Sequence, residues 1–570
     1  MRCAALRSPR AWPNLFKHRG IKPLLITRAR RGILDHPCFE ARRVAKRAFR
    51  LQWLAICAAI PQLAAAGRAL FVIEMRGADL DVTVVVVPRE RFSATERSLR
   101  SLFDNTPEAF KLIYVSAGAP PSVQRYLQAA SERSRFRLIT LGYVSPNQAR
   151  NAALREVSTK YVAFLDNDAL VTRGWLDRLV QCAEETGAAI VGPLYLVGEI
   201  EQQLIHMAGG TLHFKEEHGQ RIVYDEHRLV DVRLDTLPAP LQRSECDFVE
   251  FHCMLGRTAF LKQLGGLDEG LLSLHEHIDV GWAARTAGGT VFVEPAAIAS
   301  YVPPPPLEWS DLPYFMLRWS DDWSNASVDH FRKKWGVAAT RHFGDEDTSL
   351  DIEDTAVRFG RAHRRRASGL NVASDWHGGF ESAGDQAGLM VALFQTVDRD
   401  AFDLALTVDE HEVEAHTGLT PQAALERLPV LLQRAEAKRL NVQIRPRPPR
   451  RSSDPALVRL DIDARALSEV EPHAFLVLKA GAARYQVWLA IDRSTQQSAA
   501  LLRRIAATAN VCGSSTSYSR VAGSLEIEAD EEHSGPVRVT LFKGVAGRVT
   551  TAMELDGRAA LSHLWSSEIY

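Results

Sequence analysis

Two aspartates spaced two residues apart are the side chains in this sequence best suited to chemistry. Asp166 and Asp168 follow residues 161–165, an apolar run with the composition of a strand buried inside a sheet. A carboxylate pair at the end of such a strand suits a hard divalent cation, because Mg²⁺ and Mn²⁺ prefer oxygen ligands and keep some of them from substrate phosphates. The same tripeptide could instead be a polar turn that caps the following helix.

Alternating strand and helix signals precede this acidic turn. Residues 81–87 are a continuous run rich in β-branched side chains, and two further strands are predicted at residues 111–115 and 136–141. Helical spacing of apolar residues occupies the intervals between them, at residues 95–105 and 123–134. This βαβαβ order predicts a doubly wound α/β sheet, with ligands beyond the carboxyl ends of its strands.

Several further motifs resemble those of the family 2 glycosyltransferases, in the order in which that family has them. They are Ser-Pro-Asn-Gln-Ala-Arg-Asn at 145–151, the Phe-Leu-Asp-Asn-Asp stretch with its DxD pattern at 164–168, an acceptor-side strand with a Gly-Leu-Asp-Glu turn at 251–269, a Glu-His-x-Asp helix start at 274–285 and a closing segment at 319–335. The resemblance implies a GT-A fold, which is a doubly wound mixed sheet, over residues 80–337.

For such an enzyme the resemblance implies transfer of a sugar from a nucleotide sugar to an acceptor hydroxyl, with inversion at the anomeric carbon. Mn²⁺ or Mg²⁺ on Asp166 and Asp168 would neutralise the diphosphate leaving group. The acceptor could be a glycan, a lipid or a protein. The residues that the resemblance implies in nucleotide-sugar binding are Pro88, Glu90, Ser116, Arg150, Asn151 and Asp166.

Two positions that bear on catalysis depart from the family pattern. Ser116 stands where the family usually has an aspartate that contacts the nucleotide base, and Glu90 is an alternative nucleotide contact. His277 stands where the general-base aspartate usually falls, so the base is Glu276, His277 or Asp279. An imidazole, with an unperturbed pKa near 6.5, can act as a general base.

Other residues near these motifs have two readings each. Residues 299–306 hold no histidine, although the family usually has a third metal ligand after this helix, so an incomplete metal site is expected. His206 could line the acceptor side or be a packing histidine. Trp309, Trp319 and Trp323 could stack on sugar rings or lie in the core.

A second set of strand and helix signals occupies residues 369–570, after a polar, flexible linker predicted at residues 338–368. This segment resembles plasmid RepB-like DNA primases, which would form a separate α+β domain. The motifs that carry the resemblance are Asn-Val-Gln-Ile-Arg-Pro at 441–446, Arg-Leu-Asp-Ile-Asp at 459–463, Tyr-Gln-Val-Trp at 485–488 and Arg-Val-Ala-Gly-Ser at 520–524.

The primase resemblance implies a two-metal site for nucleotidyl transfer. Asp461 and Asp463 would hold the metals, and Arg520 would meet a phosphate of the nucleic acid. The acidic run at residues 526–532 would repel a nucleic-acid backbone. The segment is therefore expected to be an inactive relic or a regulatory module rather than an active primase.

The net charge of zero conceals an uneven distribution. Residues 1–80 hold 16 basic and 4 acidic side chains, a net of +12, whereas the other 490 residues hold 53 basic and 65 acidic ones, a net of −12. The acidic body excludes a generally basic nucleic-acid coat. Residues 1–79 are predicted to be a basic arm followed by an apolar helix. The arm could be disordered and the helix packed, residues 51–67 could be a signal anchor, or the segment could make a peripheral membrane contact.

The seven cysteines show no CxxC pair, which excludes a zinc ribbon and a disulfide scaffold. A reduced, cytoplasmic location is the simplest account, with membrane association through the arm as a variant.

Three functions follow from these patterns. The first is an inverting, metal-dependent glycosyltransferase of the hexosyltransferase type, favoured by Asp166 and Asp168 together with Glu276 and Asp279. The second is a plasmid replication protein or DNA primase with an inactive glycosyltransferase-like domain, which the acidic run disfavours. The third is a scaffold in which both sites have decayed, which Ser116 and the missing histidine favour. The first is the prediction for the chain as a whole.

Overall fold

The structure is a computed structural model that describes residues 79–107, 109–342, 352–373, 382–408, 411–448, 451–507, 518–527 and 536–556. The predicted basic arm and its apolar helix lie outside the described residues, and so do positions 528–532 of the acidic run. Among the helices of the described ranges, none is long and apolar enough to cross a membrane.

The first half of the described chain is built on one large mixed sheet. Its strands, together with those of a small neighbouring sheet, are β1 (Asp79–Val87), β2 (Ala109–Ala117), β3 (Arg137–Leu141), β4 (Tyr161–Asp166), β5 (Ala169–Val171), β6 (Ile190–Val197), β7 (Ile205–Met207), β8 (Gly210–Glu217), β9 (Gln220–His227), β10 (Ser244–Cys246), β11 (Cys253–Arg257), β12 (Val291–Tyr301) and β13 (Ala339–His342).

The large sheet has the strand order β10-β12-β6-β11-β4-β1-β2-β3, with β5 paired to β12 and β7 paired to β6. Strands β1, β2, β3 and β4 run parallel, and β11 is antiparallel to both β4 and β6. This mixed order is consistent with the GT-A fold expected from the sequence. The carboxyl ends of β1, β2 and β4 therefore meet at one edge, where the acidic turn follows β4.

Helices cover the two faces of this sheet. They are α1 (Thr95–Asn105), α2 (Pro121–Ser134), α3 (Pro146–Glu156), α4 (Trp175–Thr186), α5 (Thr258–Gln263), α6 (Glu276–Thr286), α7 (Leu312–Arg318) and α8 (Asp321–Trp335). Short 3₁₀ helices of the whole described chain lie at Phe92–Ala94, Ile200–Gln202, Leu234–Thr236, Trp309–Asp311, Arg365–Ala367 and Glu471–His473.

The described residues of the predicted flexible linker include a strand and a helix. Strand β13 pairs in parallel with β9, and helix α9 (Ile352–Arg364) packs against α8. The Nη2 of Arg364 donates to Oδ1 of Asp321 at 2.8 Å, and both side chains are buried. Some polar residues of this segment therefore form a buried ion pair and others lie on the surface. Composition does not distinguish the two, and so it predicted a solvated linker.

The second half forms two smaller sheets with helices between them. Its strands are β14 (Asn371–Ala373), β15 (Phe402–Val408), β16 (His411–Leu419), β17 (Asn441–Pro446), β18 (Ala456–Asp463), β19 (Leu476–Lys479), β20 (Arg484–Ile491), β21 (Ser519–Arg520), β22 (Leu525–Glu526), β23 (Val537–Arg538) and β24 (Thr540–Val545). Its helices are α10 (Ala383–Gln395), α11 (Pro421–Lys438), α12 (Ala464–Val470), α13 (Gln496–Ala507) and α14 (Ala552–Asp556).

The sheets of this half have the orders β14-β24-β19-β20-β18 and β16-β15-β17-β21, and a short pair joins β22 to β23. Helix α11 begins at Thr420, whose hydroxyl accepts from the backbone N–H of Ala423, and Pro421 occupies the first helical position.

The two halves share one hydrophobic core. Helix α10 packs against α7, and Phe315 and Trp323 of the first half lie in the same buried cluster as Phe394 of the second. The side-chain amide of Gln422 donates to the backbone oxygen of Tyr143 at 2.8 Å. The second half is therefore not the separate domain expected from the sequence, because its apolar helix faces complete the core of the first.

The three tryptophans of the closing segment belong to this shared core. Trp309, Trp319 and Trp323 are 9%, 2% and 4% exposed, respectively. The ring of Trp319 stacks on His363 with a centroid separation of 3.9 Å. Of the two readings open at the start, the core reading is the one that the structure supports.

The shared core predicts that both halves unfold together. Replacing the fully buried Phe394 by alanine is expected to lower the free energy of unfolding by about 4 kcal/mol, because the substitution leaves a cavity between the halves. Urea unfolding followed by far-UV circular dichroism should show one transition with a lower midpoint. The control Val430→Ala, at a position 63% exposed, should stay within about 0.5 kcal/mol of wild type. Two resolved transitions, only one of them shifted, would contradict a shared core.

Candidate functional site

Asp166 is the last residue of β4 and is held by positive charge on several sides. It is fully buried, and its Oδ1 accepts from Nη2 of Arg150 at 2.9 Å, while its Oδ2 accepts from Nη1 of Arg89 at 3.3 Å. The Nδ1 of His252 lies 3.3 Å from the same Oδ2. Burial alone would raise the pKa of Asp166, but the contact with His252 and the charges of Arg150 and Arg89 hold it well below its usual range. Asp166 is therefore an internally paired anion.

Local sequence explains how Arg150 reaches this carboxylate. Helix α3 begins with a capping box in which Ser145 and Gln148 satisfy each other's backbone N–H groups. Arg150 lies in the second turn of this helix, and its guanidinium is 3.8 Å from the centre of the Phe251 ring. Asn151 points elsewhere: its Nδ2 donates to the backbone oxygen of Leu267 at 2.7 Å. The structure thus makes Arg150 a partner of Asp166 and makes Asn151 a support of the turn after α5.

Asp168 and Glu90 have fewer hydrogen bonds than Asp166 within the described residues. Asp168 is 1% exposed, and neither of its carboxylate oxygens has a hydrogen-bond partner within the described ranges. Glu90 is equally buried; its Oε2 accepts from the hydroxyl of Tyr301 at 2.9 Å, and its Oε1 lies 3.4 Å from Nε of Arg89 without a hydrogen bond. Burial, followed by the negative charge of Glu90, raises the pKa of Asp168 well above its usual value.

These two carboxylates fit a hard cation, since both oxygens of Asp168 and Oε1 of Glu90 have no hydrogen bond within the described residues, and burial and the charge of Glu90 oppose ionisation of Asp168. The fit differs from the sequence prediction, because Asp166 is committed to Arg150 and Arg89. The residues that could hold Mn²⁺ or Mg²⁺ are Asp168 and Glu90.

The remaining predicted donor-binding residues lie at the same sheet edge. Pro88 directly follows β1 and is buried. Ser116, near the end of β2, is also buried, and its hydroxyl donates to Oε1 of Gln124 at 2.6 Å. Ser116, at the position where the family usually has an aspartate, is thus hydrogen-bonded to helix α2.

The two carboxylates among the predicted general bases are both in internal ion pairs. Glu276 lies 3.4 Å from the guanidinium of Arg318, and both are buried. Burial would raise the pKa of Glu276, but the charges of Arg318 and Arg150 lower it. Asp279 accepts from Nζ of Lys334 at 2.8 Å, and Trp335 donates its indole N–H to the same carboxylate. These contacts fasten α6 to α7 and α8.

His277 is the remaining candidate base, and it faces a different carboxylate. Its Nε2 lies 3.5 Å from Oε1 of Glu250 and has no hydrogen-bond partner among the residues that the structure describes. Glu250 is buried; burial would raise its pKa, but the charges of His277 and His252 hold it well below the usual value. Structure therefore pairs His277 with an anionic carboxylate that can stabilise its protonated form.

Sequence reasoning did not find Glu250, His227 or His252. His206, which it left as either an acceptor-side or a packing residue, lies with its Nε2 4.0 Å from Oε1 of Glu250. Glu250 and His252 flank Phe251 at a spacing of two, just before β11, and that alternation next to a motif strand was the available signal. Their partners are distant in sequence, so no local pattern could have shown the cluster.

The residues of the predicted primase-like site have other roles in the structure. Oδ1 of Asp463 accepts from the backbone N–H groups of Arg465 and Ala466 at 2.9 and 3.0 Å, which makes it the N-cap of α12. Asp461 is half exposed, and its Oδ1 accepts from Nε2 of Gln486 at 2.9 Å.

Arg520 lies 3.7 Å from that same oxygen of Asp461 and also forms an ion pair with Glu526. The three predicted residues are therefore used in capping and in ion pairs, and the primase-type site remains a prediction from sequence.

The part of the chain that forms the large sheet and its acidic edge is similar in sequence to a known protein family. Residues 83–263 match the model of the glycosyl transferase family 2. That span runs from within β1 to beyond β11 and includes the acidic turn and Glu250. It confirms the family 2 resemblance for this region and ends well before the second half of the chain.

Particular relatives are similar over the same part of the chain. The pre-mycofactocin glycosyltransferase of Mycobacterium tuberculosis is 28% identical over 222 residues, which are 39% of this chain and 42% of that protein. The succinoglycan biosynthesis protein ExoM of Rhizobium meliloti is 32% identical over 120 residues, which are 20% of this chain and 38% of that protein. The chain thus spans less than half the length of these relatives.

A crystal structure of GalNAc-T7 with UDP, GalNAc and Mn²⁺ aligns over 48% of this chain and 57% of that one, at 14% identity and a TM-score of 0.31. That score is too low to bear on the fold.

The different surroundings of the two aspartates predict opposite effects of one substitution. Asp166→Asn is expected to lower the free energy of unfolding by about 3–5 kcal/mol, because it leaves the buried Arg150 without its anion. Asp168→Asn is expected to leave stability unchanged or to increase it, because it removes a buried carboxylate that Glu90 repels. Urea unfolding of both variants in the absence of divalent cations checks this, and equal destabilisation by both would refute the division of roles.

Proposed function

We propose that the chain is an inverting glycosyltransferase that moves a sugar from a nucleotide sugar to an acceptor hydroxyl. The observation that carries the proposal is a pair of buried carboxylates, Asp168 and Glu90, at the ligand edge of a sheet whose sequence matches family 2; both oxygens of Asp168 and Oε1 of Glu90 have no hydrogen bond within the described residues. Pre-mycofactocin glycosyltransferase, a relative over part of this region, carries an activity of this class in its name.

At the donor end, Asp168 and Glu90 would hold Mn²⁺ or Mg²⁺. A cation bound there supplies the positive charge that stabilises the diphosphate leaving group. Arg89 adds charge of its own at this place, since it lies between Asp166 and Glu90 with its guanidinium 5.2 Å from the ring centre of Tyr301. Because Asp166 fixes this arginine, little reorganisation is needed when the phosphates bind.

At the acceptor end, His277 takes the proton of the attacking hydroxyl. Its Nε2 is unpartnered within the described part of the chain, whereas Glu276 and Asp279 are held by Arg318 and Lys334. Glu250, 3.5 Å away, stabilises the imidazolium that forms. The hydroxyl oxygen then displaces the diphosphate in one step, which inverts the anomeric carbon.

The second half contributes to this site by completing the core that positions α7. Arg318, which orients Glu276, ends that helix, and α10 of the second half packs on it. We assign this half a structural role, because the predicted primase residues are used in capping and ion pairs.

The function is tested by a screen of nucleotide sugars with Mn²⁺, in which release of the nucleoside diphosphate is measured. Wild-type protein should turn over one donor, and Asp168→Asn should lower that rate at least about 100-fold, because the diphosphate loses a charge partner. Asp177→Asn, an exposed aspartate on α4, is the matched control and should retain the rate. Failure of the wild type to turn over any nucleotide sugar, or equal rates in both variants, would sink the proposal.

The assignment of the base has its own test. His277→Ala should lower kcat about 10²–10⁴-fold while the KM for the donor stays near the wild-type value, because only proton transfer is lost. His330→Ala, which removes an exposed histidine 2.9 Å from Asp268, is the control and should leave kcat unchanged. If His277→Ala retained kcat while Asp279→Asn, folded at the assay temperature, lost it, the base would be Asp279.

A further inference from the structure

Two histidines and a glutamate form a cluster beside the acceptor end of the site. The members of this histidine–glutamate cluster are His206, His227 and Glu250. Each offers one ligand atom, and the three atoms all lie within 4.8 Å of one another. The Nε2 atoms of His206 and His227 are 4.0 and 3.8 Å from Oε1 of Glu250.

We infer that the histidine–glutamate cluster is a binding site for Zn²⁺ or a similar borderline transition-metal ion. Two imidazole nitrogens and one carboxylate oxygen form the ligand set of many zinc sites that keep a fourth position open. Imidazole is a poor ligand for Mg²⁺, so this site is chemically different from the oxygen-only pair of Asp168 and Glu90.

Backbone hydrogen bonds hold the three segments of the cluster together. The N–H of Ala208 donates to the carbonyl of Arg228 at 2.9 Å, which fixes His206 and His227 opposite each other. The N–H of Gly210 donates to the carbonyl of Phe248 at 3.0 Å, two residues before Glu250. Each ligand is therefore within two residues of a fixed backbone contact, and the site is preorganised.

Gly210 is required for this arrangement. A Cβ at this position would lie 2.1 Å from the ring of Phe248, so a side chain here would displace that ring. Phe248 lies two residues before Glu250, so its displacement would disturb the segment that carries the carboxylate of the cluster.

The cluster can be reached from solvent. The side chains of His206 and His227 are 27% and 10% exposed, which leaves a route for the ion and a water ligand.

The spacing requires a small contraction. Zn–N distances of about 2.0–2.1 Å place tetrahedral ligand atoms roughly 3.3–3.5 Å apart, compared with the 3.8 and 4.0 Å measured here. Each of these two distances must therefore shorten by roughly 0.3–0.7 Å. His277 lies 3.5 Å from the same oxygen of Glu250, so an ion bound in the cluster would be adjacent to the base of the proposed transferase.

The test measures bound metal and does not depend on transferase activity. The full chain, prepared without a histidine tag, is stripped with a chelator, loaded with Zn²⁺ in excess Mg²⁺, dialysed and analysed for metal by mass spectrometry. Wild type should retain about one Zn²⁺ per chain, and His206→Gln and His227→Gln should each lose it. The matched control is His213→Gln, which removes another histidine of the same hairpin paired with a carboxylate, Glu226, at 2.7 Å.

A second measurement guards against misfolded variants. Thermal unfolding without metal should give the same midpoint for wild type and His206→Gln, and Co²⁺ loaded into wild type should show the visible bands of four-coordinate nitrogen and oxygen ligation. The inference is overturned by absence of Zn²⁺ from the wild type, by its retention in both cluster variants, or by its equal loss from His213→Gln.

Discussion

A buried carboxylate must be paired with positive charge, and the pairing of Asp166 organises the whole ligand edge of the sheet. Arg150 arrives from α3, Arg89 from the loop after β1 and His252 from the segment before β11. Each of these contacts ties a different element to the end of β4. Loss of the central charge would leave the buried guanidinium of Arg150 without its ion-pair partner, and the edge depends on that constraint for its geometry.

The same division between structural and available groups occurs twice. At the end of β4, Asp166 forms ion pairs with two arginines, whereas the oxygens of Asp168 have no hydrogen bond within the described residues. On α6, Glu276 and Asp279 form ion pairs with Arg318 and Lys334, and His277 between them faces Glu250. Internally paired charges thus hold the backbone still, while neighbouring groups stay open to a substrate.

Much of the first half could be predicted because its signals are local. The run of β-branched residues in β1 and the capping box of Ser145 and Gln148 act within a few residues, and the family 2 match at residues 83–263 confirms the resemblance drawn from the motifs. Ion pairs that join distant segments were not predictable in this way. Arg364 with Asp321, and Glu250 with His227, are separated along the chain, so no local pattern indicated the ion pair of the linker segment or the acceptor-side cluster.

The shared core has a consequence for how the protein is made. Phe315 and Trp323 have left the ribosome long before Phe394 and Leu541, which cover the same cluster, are synthesised. At about 5–20 residues per second, the interval between Trp323 and Leu541 is roughly 10 to 45 seconds. During that time the nascent first half carries an apolar surface with nothing to cover it, which is the kind of surface that chaperones bind. Its last helices can therefore settle only after translation of the second half is nearly finished.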